Sequence, residues 1–452
     1  MQANTLEMDV LVVGGGIAGM QSSLDLADQG YKVALVEKSP SVAGKMIGLS
    51  KVFPTLDCAS CITTPKMSSV AHHDNIHLMT YSEVQSLTRQ DGSFTAQVLR
   101  KPRYVVEEDC TGCRLCEAAC PLDVPDKDNE FGRTAHHAIY VPFATAVPQK
   151  ALLDIDQCLF CGKCMLACPT GCIDFDQQPA TVEVHAGAVI LATGYETTLL
   201  EGKKEYGAGK VRNVIDGRMM ERLLAPTGPY GRVLRPSDGK QPSSIAYVQC
   251  AGSRDITQGV PYCSRVCCMY AIKQAMLLSG TLPMADITIY YMDIRTFGKN
   301  YEQFYQNAKA MGIEFVKGKV ARIGQDADQN PLVRVELIDD GSRVVERQHD
   351  LVVLSTGMIP GANTLHLFDV PTADDGFVAI PSCNVAPAVT AREGIFATGT
   401  ATGPMDIVDS IMTAGAAAAE AAAYLQGHSK PGVLPTIHMH FDMKAERSPM
   451  HA

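Results

Sequence analysis

The chain has 452 residues, 46% of them hydrophobic, with a formal charge of -10 and sixteen cysteines. That length provides for two or three domains around a large buried core, and an acidic chain with scattered lysine and arginine argues against a nucleic-acid footprint, which needs clustered basic charge. The N-terminal "MQANTLEMDVLVVGGG" lacks the basic start and cleavage site of a secretory signal, and no uncharged apolar run reaches spanning length; the expectation is a soluble cytoplasmic protein whose cysteines hold metal rather than disulfides.

The first motif, "MDVLVVGGGIAGMQSSLDLADQGYKVALVEK", reads as strand, tight glycine turn, helix and strand. Gly14 permits the turn, Gly16 lets the backbone approach a pyrophosphate, and Gly19 lets helix and strand pack closely, with the phosphates at the helix N-terminus. Glu37 ends the second strand, where a carboxylate bonds a ribose diol. Lys38 and Gly44 complete the cofactor-binding set of this segment. The motif opens the chain and later returns complete its domain, so the predicted cofactor is FAD rather than NAD.

"FPTLDCASC" then places Cys58 and Cys61 with two residues between them. Three readings are open: metal ligands in company with Cys172, Cys383 or a partner subunit; an inert structural pair; or a dithiol that takes electrons from reduced flavin and passes them to a small disulfide.

Between Arg103 and Asp176 the character changes. "CTGCRLCEAACP" supplies Cys110, Cys113, Cys116 and Cys120, and "CLFCGKCMLACP" supplies Cys158, Cys161, Cys164 and Cys168, each run followed by proline. This is the bacterial two-cluster ferredoxin spacing, in which three thiolates wrap one cluster and the fourth reaches the other. Cys110, Cys113, Cys116 and Cys168 are thus assigned to one 4Fe-4S cluster, and Cys158, Cys161, Cys164 and Cys120 to the second. The alternative is a pair of zinc knuckles, which lack the trailing proline.

Two apolar strands, in "AGAVILATGYE" and "HDLVVLSTGMIP", run into Thr193-Gly194 and Thr356-Gly357. They resemble the returning strands of two-dinucleotide-domain flavoprotein reductases, and "EGIFATGTATGPMDIVDSIMTAG" resembles their C-terminal flavin segment. In that pattern an aspartate follows the glycine; here Thr400 follows Gly399, and Asp406 lies a few residues on. Between the two returns, "SSIAYVQCAGSRD" begins a second unit with an apolar strand that ends at Cys250, where a nucleotide-binding reductase would carry a second glycine fingerprint. Cys263, Cys267 and Cys268 follow in "YCSRVCCMYAIK". The four sulfurs are read as ligands of a third 4Fe-4S cluster, with a zinc site and buried inert cysteines as alternatives; a disulfide between adjacent cysteines is strained. Near the C-terminus "TAGAAAAEAAAYLQG" is a helix by propensity with Gly427 as its stop, and the tail from 431 to 452 reads as an arm for a neighbouring subunit.

The stretches "LDCASCITTPKM", "QCAGSRD", "YCSRVCCMYAIK" and "DIRTFGKNYEQFY", with the flavin motif and the ferredoxin pairs, resemble the A subunits of heterodisulfide reductases and their bacterial relatives, from Met8 to the 420s. The resemblance implies an oxidoreductase subunit bearing FAD and iron–sulfur clusters, which distributes electrons in a cytoplasmic complex, in some members by flavin-based bifurcation. It implies a cluster at the four cysteines of the second unit and places Lys273 near the flavin N5, where it would tune a reduced flavin; the alternative is a solvated helix lysine. Implied partners are iron–sulfur subunits with a hydrogenase, formate dehydrogenase or low-potential reductase module, and a second copy of the chain as a homodimer. Rival functions are a disulfide reductase using Cys58 and Cys61, and clusters that only brace the fold.

The expected architecture is α/β: a thioredoxin/glutathione reductase-like two-dinucleotide-domain flavoprotein with an inserted two-cluster ferredoxin module. Its predicted divisions are 1–102 and 351–430 for the FAD domain, 103–180 for the insert, 181–240 for the return and linker, 241–350 for the second unit and 431–452 for the tail.

Overall fold

The computed structural model describes residues 4–127, 129–198, 202–361 and 363–427, so the tail lies outside the described residues. Strand Asn4–Val13, helix Ile17–Ala27 and strand Val33–Val36 form the expected opening unit, the strands parallel with Val10 opposite Val33 and Val13 opposite Val36. Val33–Val36 is buried throughout, which is why it reads as a continuous apolar run rather than an alternating one.

Strand Ala180–Leu191 is the hub of a seven-stranded sheet. Along its length it lies parallel to Asn4–Val13. Its first half pairs antiparallel with Ser93–Arg100 and its end pairs parallel with Ile395–Ala397. Segments far apart in sequence thereby close one FAD-type domain, to whose sheet the first return and the C-terminal flavin segment contribute strands and the second return does not. Helix Ile407–Leu425 covers this sheet beside Ile17–Ala27. Buried Ala414, Ala417, Ala418 and Ala421 face inward at helical spacing, and their small side chains let Ser22 Oγ reach the Ala414 carbonyl at 3.3 Å. The helix begins several residues before the alanine run, because Asp406 caps it by accepting the Asp409 N–H at 2.9 Å. Gly427 follows it with φ +74°.

A second seven-stranded sheet runs, edge to edge, through Val214–Asp216, Leu351–Thr356, Ser244–Ala251, Asp286–Tyr291, Glu314–Gln325, Pro331–Leu337 and Arg343–Gln348. The first five are mutually parallel and the last three form an antiparallel meander. Helices Cys267–Thr281 and Tyr301–Ala310 connect its central strands. The expected boundary at 350 therefore falls inside this unit: Leu351–Thr356, buried on both faces, lies between Ser244–Ala251 and Val214–Asp216 rather than in the FAD sheet. The two Thr-Gly ends lead into the crossings between units, where Tyr195–Thr197 pairs antiparallel with Met358–Pro360.

The insert is a small body closed by the Val105–Ile173 bridge. Its two halves repeat: helices Leu115–Ala119 and Lys163–Ala167 each follow a residue in the left-handed region, Arg114 (φ 63°) and Gly162 (φ 72°). Cysteines Cys110, Cys116, Cys164 and Cys172 are part of its core with Val105, Ile139 and Leu153.

Candidate functional site

One cavity of about 1510 Å³ opens above the first glycine turn. Gly14, Gly16, Glu37, Lys38 and Gly44 line it from the N-terminal segment; Thr193 and Gly194 line it from the first return, Asp406 from the C-terminal flavin segment and Lys273 from the second unit. Gly19 and Gly399 are behind the wall. A Cβ on Gly19 would meet the Gly14 carbonyl at 1.8 Å, and one on Gly399 would meet Ala18 Cβ at 2.7 Å, so both glycines permit close packing. A Cβ on Gly16 would meet no atom within 4 Å. That open face at a helix N-terminus is where a pyrophosphate approaches the backbone, so the residues fit a dinucleotide. Glu37 is buried and holds the turn in shape, accepting the Gly15 N–H at 2.6 Å and the Ser39 N–H at 2.8 Å. Asp406, besides capping its helix, accepts the Tyr301 hydroxyl at 3.0 Å, and Arg265 pairs with Asp409 at 2.9 Å. The second unit is thus fixed to the mouth of the FAD domain.

The insert forms another part of the cavity wall, through Pro142, Phe143, Leu153 and Ile155. Within the insert, Cys110, Cys113 and Cys116 of the first run and Cys168 of the second line a single small cavity. Burial, with neighbouring Cys110 and Cys113, pushes the Cys116 thiol up to about 12. Burial raises Cys164 too, and Cys158 and Cys120 add to the effect; Cys161 lies exposed at the surface. Cys172 shares the first cavity, and burial pushes it up to about 11. Burial acts in the same direction on Cys168, but hydrogen bonds with Thr170 and Cys172 outweigh it and bring that thiol down to about 7.

The second unit gathers its four sulfurs where the strand Ser244–Ala251 meets the helix Cys267–Thr281. The strand slips register between Val248 and Ala251, and Cys250 takes φ 58°. Cys267 and Cys268 occupy the first helical turn and are buried. Burial raises Cys267 well above the ordinary thiol value and Cys268 to about 11, and in each case the charges of Cys250 and Cys263 add to it. Four thiols that repel one another as anions in a desolvated site suit a positively charged centre, which deprotonates its ligands outright. Among the described residues no three His, Cys, Asp or Glu side chains converge as ligands of a single metal ion.

From these cysteines the helix runs to the large cavity, which Val266, Tyr270 and Lys273 line. Tyr270 donates to the Thr356 carbonyl at 2.7 Å, and Cys267 Sγ is 3.4 Å from the same oxygen. Lys273 is not a solvated helix lysine: its exposure is 1%. It donates to the Lys51 carbonyl at 2.9 Å and forms an ion pair with Glu221. Burial lowers the lysine and Glu221 opposes that shift. Glu221, on helix Gly217–Leu224, also accepts the Ser50 N–H and hydroxyl at 3.0 and 2.7 Å and the Gln274 amide at 2.5 Å. The sequence reading missed Glu221, since an acid within "MMERLL" looks like any exposed helix glutamate.

Cys58 caps helix Ala59–His72, accepting the Cys61 N–H at 3.4 Å. Neither thiol lines the large cavity, and Cys172 stands with the ferredoxin cysteines, so nothing in this arrangement favours the flavin-facing dithiol. Cys383 is exposed.

Residues 9–48 match the FAD binding domain family and residues 109–173 the 4Fe-4S dicluster domain family; the chain carries both domains. Over 430 residues it is 44% identical to the A subunit of the H(2):CoB-CoM heterodisulfide,ferredoxin reductase of Methanothermobacter marburgensis, an alignment that covers 93% of this chain and 65% of that one. It is 45% identical over 431 residues to the iron-sulfur A subunit of the CoB-CoM heterodisulfide reductase of Methanocaldococcus jannaschii, with the same coverages of 93% and 65%. The chain therefore spans about 65% of the length of these relatives. Among solved structures, thioredoxin reductase from T. acidophilum superimposes with a TM-score of 0.52 at 15% identity, covering 94% of this chain and 99% of that one. Thioredoxin reductase from Lactococcus lactis gives 0.52 at 14%, covering 93% and 99%. At such identity the likeness is one of fold.

Proposed function

We propose that the chain, 43–46% identical to heterodisulfide reductase A subunits of whose length it spans at most 65%, is the flavin and iron–sulfur electron-transfer subunit of a cytoplasmic oxidoreductase complex. When bound, FAD supplies interchange between two-electron and one-electron chemistry, and 4Fe-4S clusters supply single-electron carriers. The observation that carries the reading is the shared wall: one cavity is bounded by the glycine turn, by the ferredoxin insert and by the helix that starts at Cys267.

Each residue's part follows from its placement. Gly16 leaves the backbone open to a pyrophosphate, and Glu37 shapes the turn and faces the ribose position. Lys273, held by Glu221 and the Lys51 carbonyl, keeps a positive charge in a dry wall, where it favours a reduced, anionic ring. Cys250, Cys263, Cys267 and Cys268 hold a third cluster beside that wall, and the crossed sets in the insert hold two more. With cysteine sites on two sides of one cavity, the finer proposal is that an electron pair is split between two acceptors in iron–sulfur partner subunits. No described helix is long and apolar enough to cross a membrane.

The test is iron and acid-labile sulfide per FAD on anaerobically purified protein, before and after Cys267→Ala. About 12 irons falling to about 8 supports the third cluster beside the flavin; about 8 in both proteins sinks it. Purifying the native complex and identifying its subunits names the donor and acceptors.

A further inference from the structure

The first ferredoxin cavity contains five sulfurs where a cluster needs four. Cys172 follows Cys168 in "CPTGC". It is 4% exposed, its Sγ is 3.5 Å from Cys168 Sγ, and it lines the same cavity as Cys110, Cys113, Cys116 and Cys168. The two sulfurs have different supports. Cys172 is tied to the segment that closes the insert, its carbonyl accepting the Val106 N–H at 2.7 Å beside the Val105–Ile173 bridge. Cys168 sits at the start of a turn that Gly171 closes with φ +65°.

The insert's internal repeat provides the contrast. In the other half, four residues beyond Cys120, the equivalent place is Val124, which has no sulfur and packs against the insert's core. The repeat keeps its eight ferredoxin cysteines symmetric and adds a ninth on one side alone, within contact of a ligand.

We propose that Cys172 is an alternative ligand for the iron that Cys168 holds, the two thiols exchanging at that position. In the exchange the iron–sulfur bond to Cys168 breaks and one to Cys172 forms. The thiol proton of Cys172 passes to Cys168 Sγ across the 3.5 Å contact, so that no electron moves and the net charge is unchanged. The insert thereby keeps its first cluster when the Cys168 bond is lost. The second cluster has no such reserve. The proposal rests on the ferredoxin reading of the insert, which the iron content of the unaltered protein tests separately.

The experiment compares iron and sulfide per FAD in the full chain and in Cys168→Ala, Cys120→Ala and the double variant Cys168→Ala/Cys172→Ala, purified anaerobically. Cys168→Ala is expected to keep the iron of the unaltered protein, whereas Cys120→Ala and the double variant each lose about four irons. A loss of about four from Cys168→Ala alone overturns the proposal. Should Cys168→Ala fail to fold, iron release to a strong chelator is followed in Cys172→Ala and in the unaltered protein. Several-fold faster release of about four irons from Cys172→Ala is the expected result, and equal rates overturn it.

Discussion

Replacing Glu221 by glutamine removes the charge partner of a lysine that has almost no access to water. The two side chains are 2% and 4% exposed, so solvent does not screen the loss, and breaking one side of such a buried pair costs about 3–5 kcal/mol. The substituted amide still fills the space and still accepts from Ser50, which places the cost at the low end, about 3 kcal/mol. The affected unit, from Val214 to Thr356, has the size of a domain for which each kcal/mol moves the melting temperature by about 3 °C. The expected fall is therefore about 10 °C, read by calorimetry on the FAD-loaded protein. The pH dependence follows from Lys273, whose folded-state pKa is already lowered from 10.5 by burial and falls further without Glu221. Between the lowered value and 10.5 the unfolded chain binds more protons than the folded one, so stability rises with pH there; in Glu221→Gln the rise begins at a lower pH, so its deficit shrinks between the two folded-state values and is constant above them. Exchange of both residues for apolar ones, Glu221→Leu with Lys273→Met, costs less than the sum of the single changes. A melting temperature within about 2 °C of the unaltered protein would refute the reasoning.

Burial holds His349 down to about 4, with its ring bonded to Tyr290 and Ser244 at 2.9 Å each. Stability is full above the ordinary histidine value of about 6.5 and is lost as pH falls toward 4, by about 3 kcal/mol; His349→Gln abolishes that slope in denaturant titrations, and an unchanged slope counts against it. Gly16→Ala leaves the far-ultraviolet spectrum and melting of the apoprotein intact but lowers bound FAD, because its methyl enters open cavity, whereas Gly19→Ala disturbs the fold itself. Loss of FAD from neither variant would move the cofactor elsewhere. A hydrogen bond from Cys61 lowers the Cys58 thiol while Cys61 is raised; limited alkylation followed by peptide mapping should label Cys58 first, and preferential labelling of the more exposed Cys61 would show that access, not thiolate character, controls the pair.

Much of this was readable because the chemistry fixes spacing. Gly14 and Gly19 answer local steric demands, Gly16 leaves the open face that a pyrophosphate needs, and the ferredoxin runs follow the spacing of two-cluster ferredoxins. What could not be read depends on contacts between distant segments. Leu351–Thr356 looks like any return strand, and only its pairing with Ser244–Ala251 and Val214–Asp216 assigns it to the second sheet. Lys273 falls in a helix whose polar residues look solvent-facing, yet Glu221, from an earlier helix, and the Lys51 carbonyl, from the N-terminal segment, bury it. Cys172 lies beyond the ferredoxin signature, so its approach to Cys168 is a matter of how the turn closes.

The two units place different residues at one topological position. In both, a central parallel strand ends against the N-terminus of the following helix, the place where open α/β sheets bind ligands. In the first unit that end is Gly14, with φ 109°, and Gly16 faces empty space, so backbone N–H groups are presented to an anion. In the second, the register slip and the left-handed φ of 58° fall on Cys250, at a conformation that glycine would normally fill. A non-glycine residue in that region costs about 1–2 kcal/mol, and the Cβ that causes the strain is what carries the sulfur toward Cys263, Cys267 and Cys268. Gly252, with φ 90°, follows at once, and a Cβ there would meet Thr198 at 2.6 Å, so the chain passes close to the return segment at this point. The same strand end thus leaves bare backbone facing a cavity in the first unit and places a thiol in the second, which is the local difference the proposed sites rest on.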